Sequence, residues 1–428
     1  MKKSKAYGAA ASLTVGIALS AGSAFAAPIC SEDVRVLAQP RQGLDLLEKS
    51  ADEFKALSGA SFHIDYLNEN DRRAKSRADA STVGKYNVYY IDEANVALFA
   101  KSKWVLPLLD YYPKEYDFAD FDEGRQKVAT YEGKIYFAPL TGGGDLMVYR
   151  KDLLDKAGLQ PPKTLDELIA DVKKLNDPDH GVYGIGLRGQ RGSGANVWRW
   201  MPYFKAFGGQ WFDGDKPAFD SEAAVKATEV YLDLFKYSAP GTKTGSWDED
   251  TGAFLAGQVA ILIESSPLGG EAVDPRRSKV VGKINMAATP KQVKSGPAIG
   301  TFIASVSAGA KNPQGAVQFL EWFTSSETQL EFARKYGGAA VTGSALSDPE
   351  AVEKHRWLPA IADAVNNSVE KPRTPDEPKM EDILGTALNE ALVEAIAQKS
   401  NYDAIAQKHL SDAADQITAY LKQQGGYF

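Results

Sequence analysis

Asn196, Trp198, Trp200, Tyr203, Phe207 and Trp211 crowd one stretch of this 428-residue chain, and Ser246, Trp247 and Asp248 form a second aromatic and polar group. Aromatic faces stack on the C–H faces of sugars, while carboxylates and guanidinium groups hold hydroxyls by directed hydrogen bonds. The two groups therefore point to carbohydrate recognition. Trp200, Tyr203 and Phe207 fall at helical spacing, the pattern of a packed core stripe, so Trp198 and Trp247 are the aromatic ligand contacts this pattern selects.

Other chemistries find less support. Gly184-Ile-Gly186-Leu-Arg-Gly189 matches the glycine spacing of a dinucleotide loop, which needs a preceding strand and a helix opening within it. Here Tyr183, Ile185 and Leu187 alternate, so the stretch itself reads as a strand after the turn at 177–181. His63, His180, His355 and His409 are scattered with no metal-ligand spacing, and the G-x-S-x-G, phosphate-loop and calcium-loop patterns are absent. No cofactor is called for. The paired carboxylates of a glycosidase stay compatible with the sequence, because spacing along a chain does not reveal separation in space.

The elements that must position these residues begin as β-α-β. Val34–Ala38 reads as a buried strand; Leu44, Leu47, Ala51, Phe54 and Leu57 recur at helical spacing; Phe62, Ile64 and Tyr66 alternate as a strand. A charged stretch over 70–80 and a third strand over 87–91 continue the pattern, which favours a mostly parallel sheet with ligands at the carboxyl ends of its strands. A glycine-rich break at 141–144 reads as a hinge. Beyond it, Thr164 to Glu167 form a capping box opening a helix to Leu175, and further helices span 221–237, 247–256, 313–325 and 380 to the end, with a proline-rich linker over 371–379.

Lys2, Lys3 and Lys5, an apolar stretch over 9–19 and Ala24-Phe25-Ala26 make residues 1–26 a cleavable signal peptide. The single cysteine, Cys30, follows Ile29 rather than the small residue that lipid attachment requires, and it excludes an internal disulfide. The net charge is −7, and −10 without the three leader lysines. That disfavours nucleic acid and anionic membranes as partners. A freely diffusing periplasmic protein is the expectation.

Several blocks resemble the sugar-binding family of bacterial ABC-importer solute-binding proteins that includes maltose-binding protein. Tyr131-Glu-Gly-Lys-Ile-Tyr-Phe-Ala-Pro139, Leu146-Met-Val-Tyr-Arg-Lys-Asp-Leu-Leu154 and Pro161-Pro-Lys-Thr-Leu-Asp-Glu-Leu168 carry the most specific part. Phe219-Asp-Ser221, Ala253-Phe-Leu-Ala-Gly-Gln-Val-Ala260 and the block over 311–323 follow in the family's order, while Gly337-Gly-Ala-Ala340 departs from its usual Gly-x-Pro. The resemblance implies an α/β fold of two lobes with mostly parallel sheets joined by a multi-crossing hinge. Lobe one would span 27–140 and 290–340, and lobe two 141–289 and 341–428.

It also implies that one small solute sits between the lobes and is delivered to the transmembrane subunits of an ABC permease by a monomeric, non-enzymatic protein. Carried over residue by residue, the ligand contacts are Gln39, Arg41, Asn68 and Asp92 from lobe one, Gly144 and Asp145 beside the hinge, and Asn196, Trp198, Trp247, Asp248, Glu264 and Arg373 from lobe two. The resemblance to polyol binders implies a monosaccharide, sugar alcohol or small glycoside. An oligosaccharide or an anionic sugar derivative, for which Arg41, Arg188 and Arg373 leave room, is the alternative; a secreted carbohydrate-active hydrolase or lyase is the alternative of another class.

Overall fold

The computed structural model describes residues 33–425 apart from 41–43, 45–47, 49, 83, 113–115, 117, 193, 339 and 369–370. Residues 1–26, read above as a leader, Cys30 and Arg41 lie outside the described residues. Val34–Ala38 pairs in parallel with Phe62–Tyr66 on one side and Val88–Asp92 on the other, as the β-α-β start requires. Ile299–Val306 then runs antiparallel to Val88–Asp92 and joins this lobe to the first half of a long strand, Ala138–Arg150. The second half of that strand enters the other lobe, where it is flanked antiparallel by Val259–Ser265 and Ile284–Ala288. Tyr183–Gly186 completes that lobe, parallel to Val259–Ser265.

The long strand corrects the reading of 141–144 as a glycine-rich break: Thr141 to Gly144 are paired strand residues opposite Ile299–Phe302. Their glycines answer to packing. A Cβ on Gly143 would lie 2.4 Å from Ile361 Cγ2, and one on Gly144 would lie 2.5 Å from Ala364 Cβ, because the helix Leu358–Asn366 lies directly on the strand. The strand nevertheless bends here. Its register slips between Phe302 and Ile303, and Gly142 takes a φ of +98°, a conformation open to glycine and few other residues.

Period-2 alternation along the same strand divides the interior. Leu146 and Val148 join the core that continues to Val36, Phe319 and Leu262, while Met147 and Tyr149 face the core beneath Trp200, Tyr231 and Leu388. The capping box opens Leu165–Leu175 as the Thr164 and Glu167 pair predicts. The expected continuous helix from 380 is two, Glu377–Gln398 and Tyr402–Gln423. Lys399 and Asn401, at φ 59° and 57°, break the helical path between them. Among the described residues no helix is long and apolar enough to cross a membrane.

Candidate ligand-binding cleft

The carboxyl ends of the parallel strands of both lobes face one another. On the first lobe Val88–Asp92 ends in Asp92, whose carboxylate accepts Arg72 Nη2 at 2.8 and 2.9 Å and Arg73 Nε at 2.7 Å. The helix Glu69–Ala80 supplies both arginines from its first turns, where Asn68 caps it. Arg72 also donates to the Tyr90 carbonyl at 2.8 Å and to Gln39 Oε1 at 3.3 Å, so the first and third strand ends are tied by one fully buried guanidinium. Arg73 reaches Glu69 at 3.0 Å. Burial would raise the Asp92 carboxyl, but Arg72 and Arg73 hold it well below the usual carboxylate range.

On the second lobe Glu264, near the end of its strand, accepts Arg188 Nη2 and the Ser265 amide, the latter at 2.7 Å, and stands 3.4 Å from Arg199. Arg199 donates to Asp145 at 2.9 Å and to the Ile263 carbonyl at 2.5 Å, bracing the site floor. Burial pushes the Asp145 carboxyl up, and pushes the nearby Asp250, fully buried with no hydrogen bond to either carboxylate oxygen among the described residues, up to about 8.

The aromatic pair carries cations. The Arg188 guanidinium lies 5.3 Å from the Trp247 ring centroid and Lys371 Nζ 3.1 Å from that of Trp198. The rings are only 3% and 7% exposed. The lobes touch directly, with the Ser246 hydroxyl donating to Glu69 at 2.6 Å and Arg188 3.9 Å from the same carboxylate. The hollow left between them is about 30 Å³.

Of the residues singled out in the sequence, Asp92, Trp198, Trp247 and Glu264 line this hollow. Gln39 stands behind it on Arg72, and Asp145 beneath it on Arg199. The others are placed differently. Asn68 is exposed and accepts the Asp71 amide at 2.9 Å as a helix cap; Gly144 lies against Ala364; Asp248 is exposed in the first turn of Trp247–Leu255. Asn196 donates to the Gly385 carbonyl at 2.7 Å, joining two helices, and Arg373 donates to the carbonyls of Val128 and Thr130.

Glu69, Arg73, Glu93, Arg199 and Phe302 also line the hollow; Glu69 and Glu93 fall at strand ends read as the ligand side, while Arg73, Arg199 and Phe302 were not singled out. Glu69 and Arg73 had a signal in their i,i+4 spacing. Arg199 was hidden between Trp198 and Trp200, in a stretch whose spacing reads as core.

A solute-binding protein of an ABC transporter from Agrobacterium radiobacter K84, solved with ribitol, superposes with a TM-score of 0.82 at 28% identity, covering 91% of this chain and 100% of that one. A counterpart from Agrobacterium vitis S4, solved with D-mannitol, gives 0.82 at 25% identity over 93% of this chain and 100% of that one. The mannitol-binding protein of Pseudomonas aeruginosa is 30% identical over 282 residues, which span 64% of this chain and 64% of that protein. Residues 51–330 match the model of the bacterial extracellular solute-binding proteins, and the chain belongs to that family.

Proposed function

We propose that this protein is the exported solute-binding component of an ABC importer, which holds one small neutral polyol or sugar between its lobes and hands it to a membrane permease without transforming it. The observation that carries the reading is the set of carboxylates at facing strand ends, each held in place by an arginine: Asp92 and Glu69 by Arg73, Glu264 by Arg188. Oriented carboxylates accept hydroxyl hydrogens without rearranging, which is what tight binding of a hydroxylated ligand requires.

Charge argues for a neutral solute over an anionic derivative. The arginines that line the hollow already face carboxylates, and a phosphate or carboxylate ligand would have to displace a buried partner. Cations beside both tryptophan rings favour an acyclic polyol over a stacked pyranose. The ribitol and mannitol bound to the two Agrobacterium proteins support the same class.

Within this reading the protein works in the periplasm as a monomer, needs no cofactor, and meets the permease transiently. A thermal-shift series over ribitol, mannitol, glucose and glycerol phosphate tests it. A binder's melting temperature climbs as ligand rises through its dissociation constant, and the ligand is recovered intact. Conversion of the stabilising compound, or stabilisation by the phosphate ester alone, would sink the proposal.

A further inference from the structure

Behind the cleft lies a second hollow of about 140 Å³, walled by the helices Val96–Lys101 and Glu123–Ala129, by Val365 and by the segment running from Lys371 to Glu377. It is several times larger than the space between the tryptophans. Glu93, the residue after the third strand, borders both. The partition between them is completed by Lys371, whose ammonium rests on the Trp198 ring and donates to Glu381 at 2.6 Å.

The chamber is short of donors. Among the described residues no well-formed hydrogen bond reaches Glu93 Oε1 or Glu377 Oε1, although their side chains are only 10% and 5% exposed; each is left with a long ion pair to Lys371 Nζ, at 3.6 and 3.5 Å. The other cations in the wall have partners of their own. Arg373 donates to the carbonyls of Val128 and Thr130, and Lys127 pairs with Glu123 at 3.1 Å at the rim. Burial pushes both carboxyls up, Glu377 to about 8, so the chamber favours a neutral partner, whose hydroxyls can accept from or donate to them, over an anion.

We infer that this chamber is a subsite for the far end of an extended polyol, whose chain passes Glu93 and presents terminal hydroxyls to Glu93 and Glu377, so that the chamber reads ligand length. The inference rests on the polyol reading above and narrows it to acyclic chains long enough to reach past Glu93. A compact ring held between the tryptophans would leave the two acceptors unserved.

Titration calorimetry of the full mature chain with erythritol, ribitol and mannitol tests the inference, alongside Val128→Trp, which fills the chamber from a half-buried wall position, and Glu377→Gln, which keeps the shape and replaces the carboxyl with an amide. The wild type binds mannitol at least about tenfold more tightly than erythritol. Each variant loses about tenfold for mannitol while erythritol changes by less than about twofold. Equal losses for all three polyols, or none for mannitol, would overturn the subsite while leaving the polyol reading intact. No binding of any of the three by the wild type would overturn both.

Discussion

Asp92 illustrates how much one strand-end residue does. It neutralises two buried arginines, so Asp92→Ala removes the carboxylate that Arg72 and Arg73 share and should cost about 3–5 kcal/mol of stability, read from urea unfolding. Its folded pKa is depressed, so this stabilisation is present above the unfolded value of about 4 and is lost only as pH falls through the depressed value in strong acid. Asp250 has the opposite sign. Its folded pKa, pushed up to about 8 by burial, lies above the unfolded one, so it erodes stability as pH rises from about 4 to 8. Asp250→Asn should therefore stabilise the protein at pH 7 by on the order of 1 kcal/mol and have little effect below pH 4 or so. Equal melting-temperature gains at both pH values would contradict the assignment.

At this scale Asp92, at a strand end, and Trp198 and Trp247, in mixed aromatic and polar stretches, could be named from the residues and Glu264 from the resemblance, and all four line the hollow. Lys371 was not legible, because nothing in a proline-rich loop announces that its lysine is 3% exposed against three carboxylates.

At the scale of elements, the parallel strands and capped helices could be read because their periodicity is local. The long strand Ala138–Arg150 could not, because its glycines serve a contact with Leu358–Asn366, more than 200 positions away in sequence. The Gly184-x-Gly186 spacing has the same origin: a Cβ on Gly186 would lie 2.3 Å from Asp250 Oδ1, which accounts for a glycine within a strand where no nucleotide loop exists. Gly144→Ala should push the covering helix off the strand and destabilise the protein by about 1–3 kcal/mol in chemical unfolding. Thr164→Ala, which removes a capping box remote from the cleft, should cost about 1 kcal/mol and leave ligand affinity unchanged. A change in affinity would show that the helix Leu165–Leu175 is coupled to the site.

The whole molecule presents two lobes closed on each other, with the contact made by Glu69 against Ser246 and Arg188. Ligand and these contacts favour the same closed state, so Glu69→Ala should weaken ligand binding and enlarge the ligand-free radius of gyration in solution scattering, while saturating ligand restores the compact form. The glycine cluster at 141–144 was legible as a break, whereas the structure makes it part of one long paired strand. The closed contact was beyond reach, since it joins residues 177 positions apart.

The central claim is that the closed cleft holds a neutral polyol and releases it unchanged. Titration calorimetry of the purified chain with ribitol and mannitol, followed by mass analysis of the recovered ligand, tests this most directly. One saturable site per chain with intact polyol recovered is the predicted result; no saturable heat for either polyol, or a chemically altered product, would contradict it.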